Sequence, residues 1–177
     1  ARYFARKGIE FRIVDSRTTP SLKEQLLAEL PNVEFYCGDF FSGIFSANDC
    51  LVISPGMSLD DIYIQKALAE GASLSSDIQL FIEENIKPII GITGSNGKST
   101  VTTLVGDILQ CAGKKVCVAG NIGLPILDAI VSGQAFDIFV LELSSFQLER
   151  LHQLNAFAVT ILNLSEDHMD RYATLAD

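Results

Sequence analysis

Ile89-Ile90-Gly91-Ile92-Thr93-Gly94-Ser95-Asn96-Gly97-Lys98-Ser99-Thr100 is an apolar run of strand length that passes through a glycine-rich turn straight into a stretch with helical spacing. Such a turn aims successive backbone N–H groups and a helix N-terminus at one point, which favours phosphate oxygens. Lys98 can reach terminal phosphates as a point charge, and the Ser99 hydroxyl can ligate Mg²⁺. The general pattern G-x-x-x-x-G-K-[ST] is not met, because its first glycine would fall on Ile92; the loop reads Gly94-x-x-Gly97-Lys98-Ser99. An ordinary glycine turn with a helix-capping serine is the alternative. The candidate nucleotide-binding residues are Gly94, Ser95, Asn96, Gly97, Lys98, Ser99 and Thr100.

Outward from the loop, apolar runs at residues 89–93, 115–119, 136–143 and 157–164 read as strands, separated by helical patterns at 98–111 and 124–131. Residues 144–154 leave room for a short helix only. Nearly continuous apolar strands alternating with helices indicate a parallel sheet covered on both faces. Upstream, strands are expected at 9–15, 33–36 and 50–54, with helices at 21–30, 59–70 and 76–85. Ser76 and Asp77 supply the cap of the last helix, and Lys87-Pro88 breaks the chain after it. The expected fold is α/β: a Rossmann-like domain at 1–86 lacking its first strand, then part of a P-loop-type ATPase domain at 87–177. The chain starts without Met on what reads as the end of a helix, so a piece of a longer protein is expected.

Composition narrows the function. The 177 residues are 48% hydrophobic and 20% charged, a globular rather than a disordered balance. Thirteen Lys and Arg against 22 Asp and Glu leave a net charge of −9, which excludes the basic footprint that nucleic acid requires. Mean hydropathy is high at +0.29, yet no apolar run approaches the ~18 to 20 residues of a membrane helix. Cys37, Cys50, Cys111 and Cys117 form no CxxC pair, so each is expected to be a core hydrophobe in a reducing cytoplasm. No signal peptide is visible at the start.

A parallel sheet puts every strand's carboxyl end on the edge that holds the loop, and ligands bind at that edge. Glu142 ends an otherwise apolar run; a carboxylate buried there calls for a cation, which Mg²⁺ shared with Ser99 would supply. His168 follows two acids beyond the last strand, where imidazole could ligate a second cation, touch a phosphate, or be structural. Gly120-Asn121-Ile122-Gly123 lets a ligand approach the backbone, with Asn121 offering a donor and an acceptor, or is a plain turn. In the first half, Asp15 ends a strand as a ribose-binding acid does, followed by Ser16 and Arg17, while Ser54-Pro55-Gly56 closes another; together they read as a nucleotide-type pocket or as simple turns.

These strings are also those of a known family. Gly91-Ile92-Thr93-Gly94-Ser95-Asn96-Gly97-Lys98-Ser99-Thr100, Gly120-Asn121-Ile122-Gly123, Leu141-Glu142-Leu143-Ser144-Ser145-Phe146-Gln147-Leu148 and Asn163-Leu164-Ser165-Glu166-Asp167-His168-Met169-Asp170-Arg171 resemble the Mur ligases of peptidoglycan synthesis. The Ser-Ser-Phe-Gln-Leu string and the Gly-Asn-Ile-Gly turn resemble the D-glutamate-adding branch. Asp15-Ser16-Arg17-Thr18-Thr19-Pro20 and Ser54-Pro55-Gly56 resemble the uridine-binding domain of the same branch.

The resemblance implies a three-domain, ATP- and Mg²⁺-dependent ligase, cytoplasmic and monomeric, that joins D-glutamate to UDP-N-acetylmuramoyl-L-alanine. It implies that Lys98 holds the β and γ phosphates, that Ser99 and Glu142 ligate one Mg²⁺, and that His168 ligates a second. Asn121, Ser144 and Gln147 would line the muramoyl path; Asp15, Ser16, Arg17, Ser54 and Gly56 would surround the uracil end. A carbamylated lysine and the domain that binds D-glutamate would lie outside this sequence, so the piece alone is expected to be inactive. A folylpolyglutamate-type ligase, a dehydrogenase resting on Asp15, and a non-catalytic nucleotide-binding module are the competing readings.

Overall fold

The computed structural model describes residues 1–165. They form two compact units: Ala1–Ile53 with Met57–Ser75, and Ser54–Gly56 with the chain from Ser76 onward. The first unit carries α1 (Arg2–Lys7), β1 (Arg12–Asp15), α2 (Lys23–Glu29), β2 (Glu34–Cys37), β3 (Cys50–Val52), α3 (Ile62–Glu70) and β4 (Ser73–Ser75). Two parallel pairs, β1 with β2 and β3 with β4, are its sheets. Asp61 caps α3 by accepting from the amides of Tyr63 and Ile64, and Gly71 ends it at φ 118°, a left-handed conformation that glycine adopts without strain. A small core of Leu51, Ile53, Ile64, Ala67 and Ala72 sits beneath.

The second unit contains α4 (Asp77–Glu84), β5 (Ile89–Thr93), α5 (Lys98–Cys111), β6 (Val116–Gly120), α6 (Ile126–Val131), β7 (Ile138–Glu142), α7 (Ser145–Leu148) and β8 (Ala158–Ile161). Its strands form one parallel four-stranded sheet in the order β6-β7-β5-β8. Ser76 caps α4 as its sequence implies, by accepting from Gln79 N–H. The helix then packs Ile78 and Phe81 into the sheet's core, with the Phe81 ring 4.8 Å from that of Phe139. The chain around Lys87-Pro88 therefore runs inside the second compact unit, because the apolar face of α4 is buried against this sheet. Each fully buried Ile or Leu here contributes about 1.5–3 kcal/mol.

On α5, a Cβ at Gly106 would come within 2.6 Å of Val118 Cγ2, so the bare backbone lets the helix lie flush on β6. Two expectations are corrected. Among the described residues the sheet is not covered throughout: every residue of β8 is exposed, with Val159 and Ile161 at 67% and 63%, as is Phe157 just before it at 79%. An edge strand has a neighbour on one side only, and β8 stands at the end of the order. Nor are all the cysteines core residues. Cys117 is buried, Cys37 is half-buried, and Cys50 and Cys111 face solvent. Among the described residues no helix is long and apolar enough to cross a membrane.

Candidate active site

The glycine-rich loop begins where β5 stops. Thr93 Oγ1 donates to Leu143 O at 2.7 Å, tying the first residue of the turn to the end of β7. Gly97 has φ 81°, a backbone that an L side chain rarely adopts, and α5 starts at the next residue. No side chain caps α5, so its first amides, which cannot bond within the helix, point out of the turn with its partial positive charge. Lys98 Nζ curls back to donate to Gly94 O at 2.6 Å and Ser95 O at 3.0 Å. The ammonium is thus poised over the loop on two neutral acceptors, which an anion would outcompete. Ser99 and Thr100 are exposed on the first turn.

Glu142 lies beside this loop by register: it pairs with Ile92 on β5 and with Gly120 on β6. It is only 1% exposed. Asn121 Nδ2 donates to its Oε1 at 2.8 Å, and Asn121 N donates to its backbone carbonyl at 2.9 Å. Its Oε2 is buried with no hydrogen-bond partner among the described residues. Gly120 makes this clamp possible, since a Cβ there would meet Glu142 O at 2.2 Å and its φ is 101°. An orphaned carboxylate oxygen in a dry site is costly, and a hard cation satisfies it. A carboxylate and a serine hydroxyl are oxygen donors of the kind Mg²⁺ takes, and that ion keeps several waters rather than a full protein cage. Among the described residues no three or more His, Cys, Asp or Glu side chains cluster.

His168, the other expected metal ligand, lies outside the described residues. Ser144 and Gln147 are engaged with each other. Gln147 N donates to Ser144 Oγ at 3.3 Å, while Ser144 N donates to Gln147 Oε1 at 3.0 Å, a capping box that starts α7 and buries Gln147. Their serine-x-x-glutamine spacing already carries that signal. In the first unit Asp15 and Arg17 form a two-pronged pair: Arg17 Nε reaches Asp15 Oδ1 at 2.9 Å and Nη2 reaches Oδ2 at 2.6 Å. The Arg17 side chain holds the Asp15 carboxyl below the usual carboxylate range, and Ser16 is exposed between them. Within the second unit, Ser54 and Gly56 are exposed, and Ser54 O accepts from Nη1 of the buried Arg150 at 2.7 Å.

The loop, Glu142 and Asn121 are therefore brought to one sheet edge, while Asp15–Arg17 belong to the other unit. Two residues with functional geometry escaped the sequence reading. Arg150 gave no signal, because a cation in a polar stretch reads as solvated. Asn163 had one: a side chain with both a donor and an acceptor, ending an apolar run at the ligand-binding edge. Its carboxamide grips the loop, with Oδ1 accepting from Asn96 N at 2.8 Å and Nδ2 donating to Asn96 O at 2.9 Å.

The likeness to known proteins runs along nearly the whole chain. The family model for the Mur ligase MurD-like N-terminal domain matches residues 1–76, and that for the Mur ligase middle domain matches residues 92–177. The UDP-N-acetylmuramoylalanine–D-glutamate ligase of Marinobacter nauticus is 50% identical over 171 residues, 97% of this chain and 38% of the relative. The enzymes of the same name from Pseudomonas aeruginosa and Coxiella burnetii are each 48% identical, over 99% and 100% of this chain. The chain spans about two fifths of the length of these curated relatives, 38% to 40%. Among solved structures, the UDP-N-acetylmuramate:L-alanyl-gamma-D-glutamyl-meso-diaminopimelate ligase of Neisseria meningitides superposes with a TM-score of 0.58 at 21% identity. That match covers 98% of this chain and 58% of the other, and it speaks to the fold. With two of the family's domain models spanning nearly all of its length, this chain belongs to the Mur ligases.

Proposed function

We propose that the protein containing this chain is an ATP-dependent ligase that adds D-glutamate to UDP-N-acetylmuramoyl-L-alanine in peptidoglycan synthesis. The observation that carries the reading is the buried Glu142 with one unpartnered oxygen, on the same sheet edge as a glycine-rich loop and its lysine. The near-half identity to D-glutamate ligases along the whole chain favours this acceptor over the folylpolyglutamate and dehydrogenase alternatives.

A carboxylate is a poor electrophile, so the alanyl carboxylate oxygen attacks the γ-phosphorus of ATP, the bond to the bridging oxygen breaks, and ADP leaves with that electron pair. The acyl phosphate is then attacked at its carbonyl carbon by the D-glutamate amine; the C–O bond to phosphate breaks, and the amine proton passes to a base. Lys98 exchanges the carbonyls of Gly94 and Ser95 for phosphate oxygens, and the loop and α5 amides hold the transferring group by fixed dipoles. Ser99 and Glu142 would hold one Mg²⁺ and His168 a second; when bound, the ions neutralise charge between the two anionic reactants. Asn121 keeps Glu142 turned in one orientation. Asp15, Ser16, Arg17, Ser54 and Gly56 serve the uridine end of the substrate, and Ser144 and Gln147 the muramoyl path.

The test is a phosphate-release assay on the full-length gene product with UDP-N-acetylmuramoyl-L-alanine, offering D-glutamate, L-glutamate, L-lysine or glycine. Release selective for D-glutamate is expected, and Lys98→Ala should abolish it. Near-normal turnover by Lys98→Ala would refute the role given to that side chain.

A further inference from the structure

The loop Gly94–Gly97 has little bracing of its own. α5 has no side-chain cap, and the bonds to Gly94 O and Ser95 O come from Lys98, the group that must let go to meet a phosphate. The remaining support comes from the segment that follows β8. Asn163 Oδ1 accepts from Asn96 N–H and Asn163 Nδ2 donates to Asn96 O, so one carboxamide closes both backbone groups of a single loop residue. The Asn163 carbonyl accepts from Ser95 N–H at 3.1 Å. Ser95 Oγ donates to Ser165 O at 3.0 Å and accepts from Ser165 N–H at 2.9 Å. Contact here is tight: a Cβ on Gly94 would meet Asn163 O at 3.0 Å and Asn163 N at 3.1 Å.

We propose that Asn163 is a positioning residue for phosphate binding, whose carboxamide fixes the backbone of Asn96 so that the loop keeps its shape when Lys98 turns to the ligand. The inference rests on the nucleotide reading of the loop given above. Both polar ends of the carboxamide are occupied by Asn96, so Asn163 acts through the loop rather than on the ligand. A turn with two glycines has many conformations when released, and ordering it at the moment of binding costs affinity. Loss of the two neutral hydrogen bonds, partly replaced by water, is expected to weaken nucleotide affinity roughly tenfold, about 1.4 kcal/mol.

The experiment uses full-length protein carrying Asn163→Ala, or Asn163→Leu, which keeps the bulk and loses both bonds. MgATP binding by calorimetry and steady-state kinetics should show the ATP dissociation constant and KM raised about tenfold. The KM values for the carboxylate and amine substrates should stay unchanged. Amide exchange should accelerate at Asn96 while the amides of β5 and β7 remain slow. Wild-type ATP affinity in Asn163→Leu, or equal rises in all the KM values, would overturn the proposal. If both variants fail to fold, Asn163→Ser, too short to reach both groups, carries the same expectations. If the unaltered protein does not bind ATP, the nucleotide reading fails separately, and exchange at Asn96 still decides whether the clamp exists.

Discussion

β7 and β8 are the two parallel neighbours of β5, similar in length and apolar content, yet their environments are opposite. From Phe139 to Glu142 β7 is buried, while all of β8 is exposed. Both run into functional groups at the same edge. Glu142, at the end of β7, is sealed from water with an oxygen left over, and Asn163, just past β8, is exposed with both ends of its side chain satisfied. Burial makes the first a site for a cation, because an unpaired carboxylate oxygen is tolerable only where a ligand completes it. Exposure suits the second to bracing, since a neutral carboxamide loses little by facing water. An apolar run thus fixes strand identity, whereas strand order decides what its last polar residue is for.

The largest expected effect is at the end of β7. Glu142→Gln keeps shape and the Asn121 contact but removes the charge, so turnover of the full-length enzyme should fall by about a thousandfold or more, roughly 4 kcal/mol in the barrier. Its melting temperature should hold or rise, because a buried unpaired charge has gone; unchanged phosphate release would break the contrast between the two strand ends. Leu141→Ala, at a fully buried position of β7, should destabilise by about 2–5 kcal/mol in urea titrations. Ile161→Ala on β8 should cost under about 1 kcal/mol in the same titration, since its side chain is mostly in water already. A cost equal to that of Leu141→Ala would mean that β8 is covered in the full-length protein.

The smallest effect is chemical and extends the contrast to β6. Burial pushes the Cys117 thiol up to about 11, so its folded form resists ionisation and a thiol reagent should label it only through opening of the sheet. Exposed Cys50 and Cys111 should label within the first phase at pH 8. The sign is fixed by the raised value: on Cys117's account the folded state is unaffected below the ordinary thiol range and loses stability as pH climbs toward 11. Equal labelling rates for Cys117 and Cys111 would contradict it.

Much of this was legible beforehand, for reasons that differ by residue. The strand, turn and helix around Gly94 are local, so 89–111 reads correctly from spacing and glycine alone. Glu142 was visible because a carboxylate closing an apolar run conflicts with its surroundings. β4 was not: Ser73-Leu74-Ser75 has one apolar residue, and it becomes a strand only by pairing with β3. The exposure of β8 was hidden as well, because the order β6-β7-β5-β8 comes from tertiary packing that no periodicity records. Gln147 shows the opposite failing. Its family role suggested a substrate contact, while its spacing from Ser144 encoded a helix cap, and one residue can carry both.

Gly106 adds a liability remote from any chemistry. It lies eight residues, about 12 Å of helix, beyond Lys98, and no ligand would come near it. Yet any side chain introduced there must lift α5 off β6 or displace Val118. Random mutagenesis of the gene should therefore yield alleles at codon 106 that fail when warm and recover when cooled, with the lesion felt first as poor use of ATP.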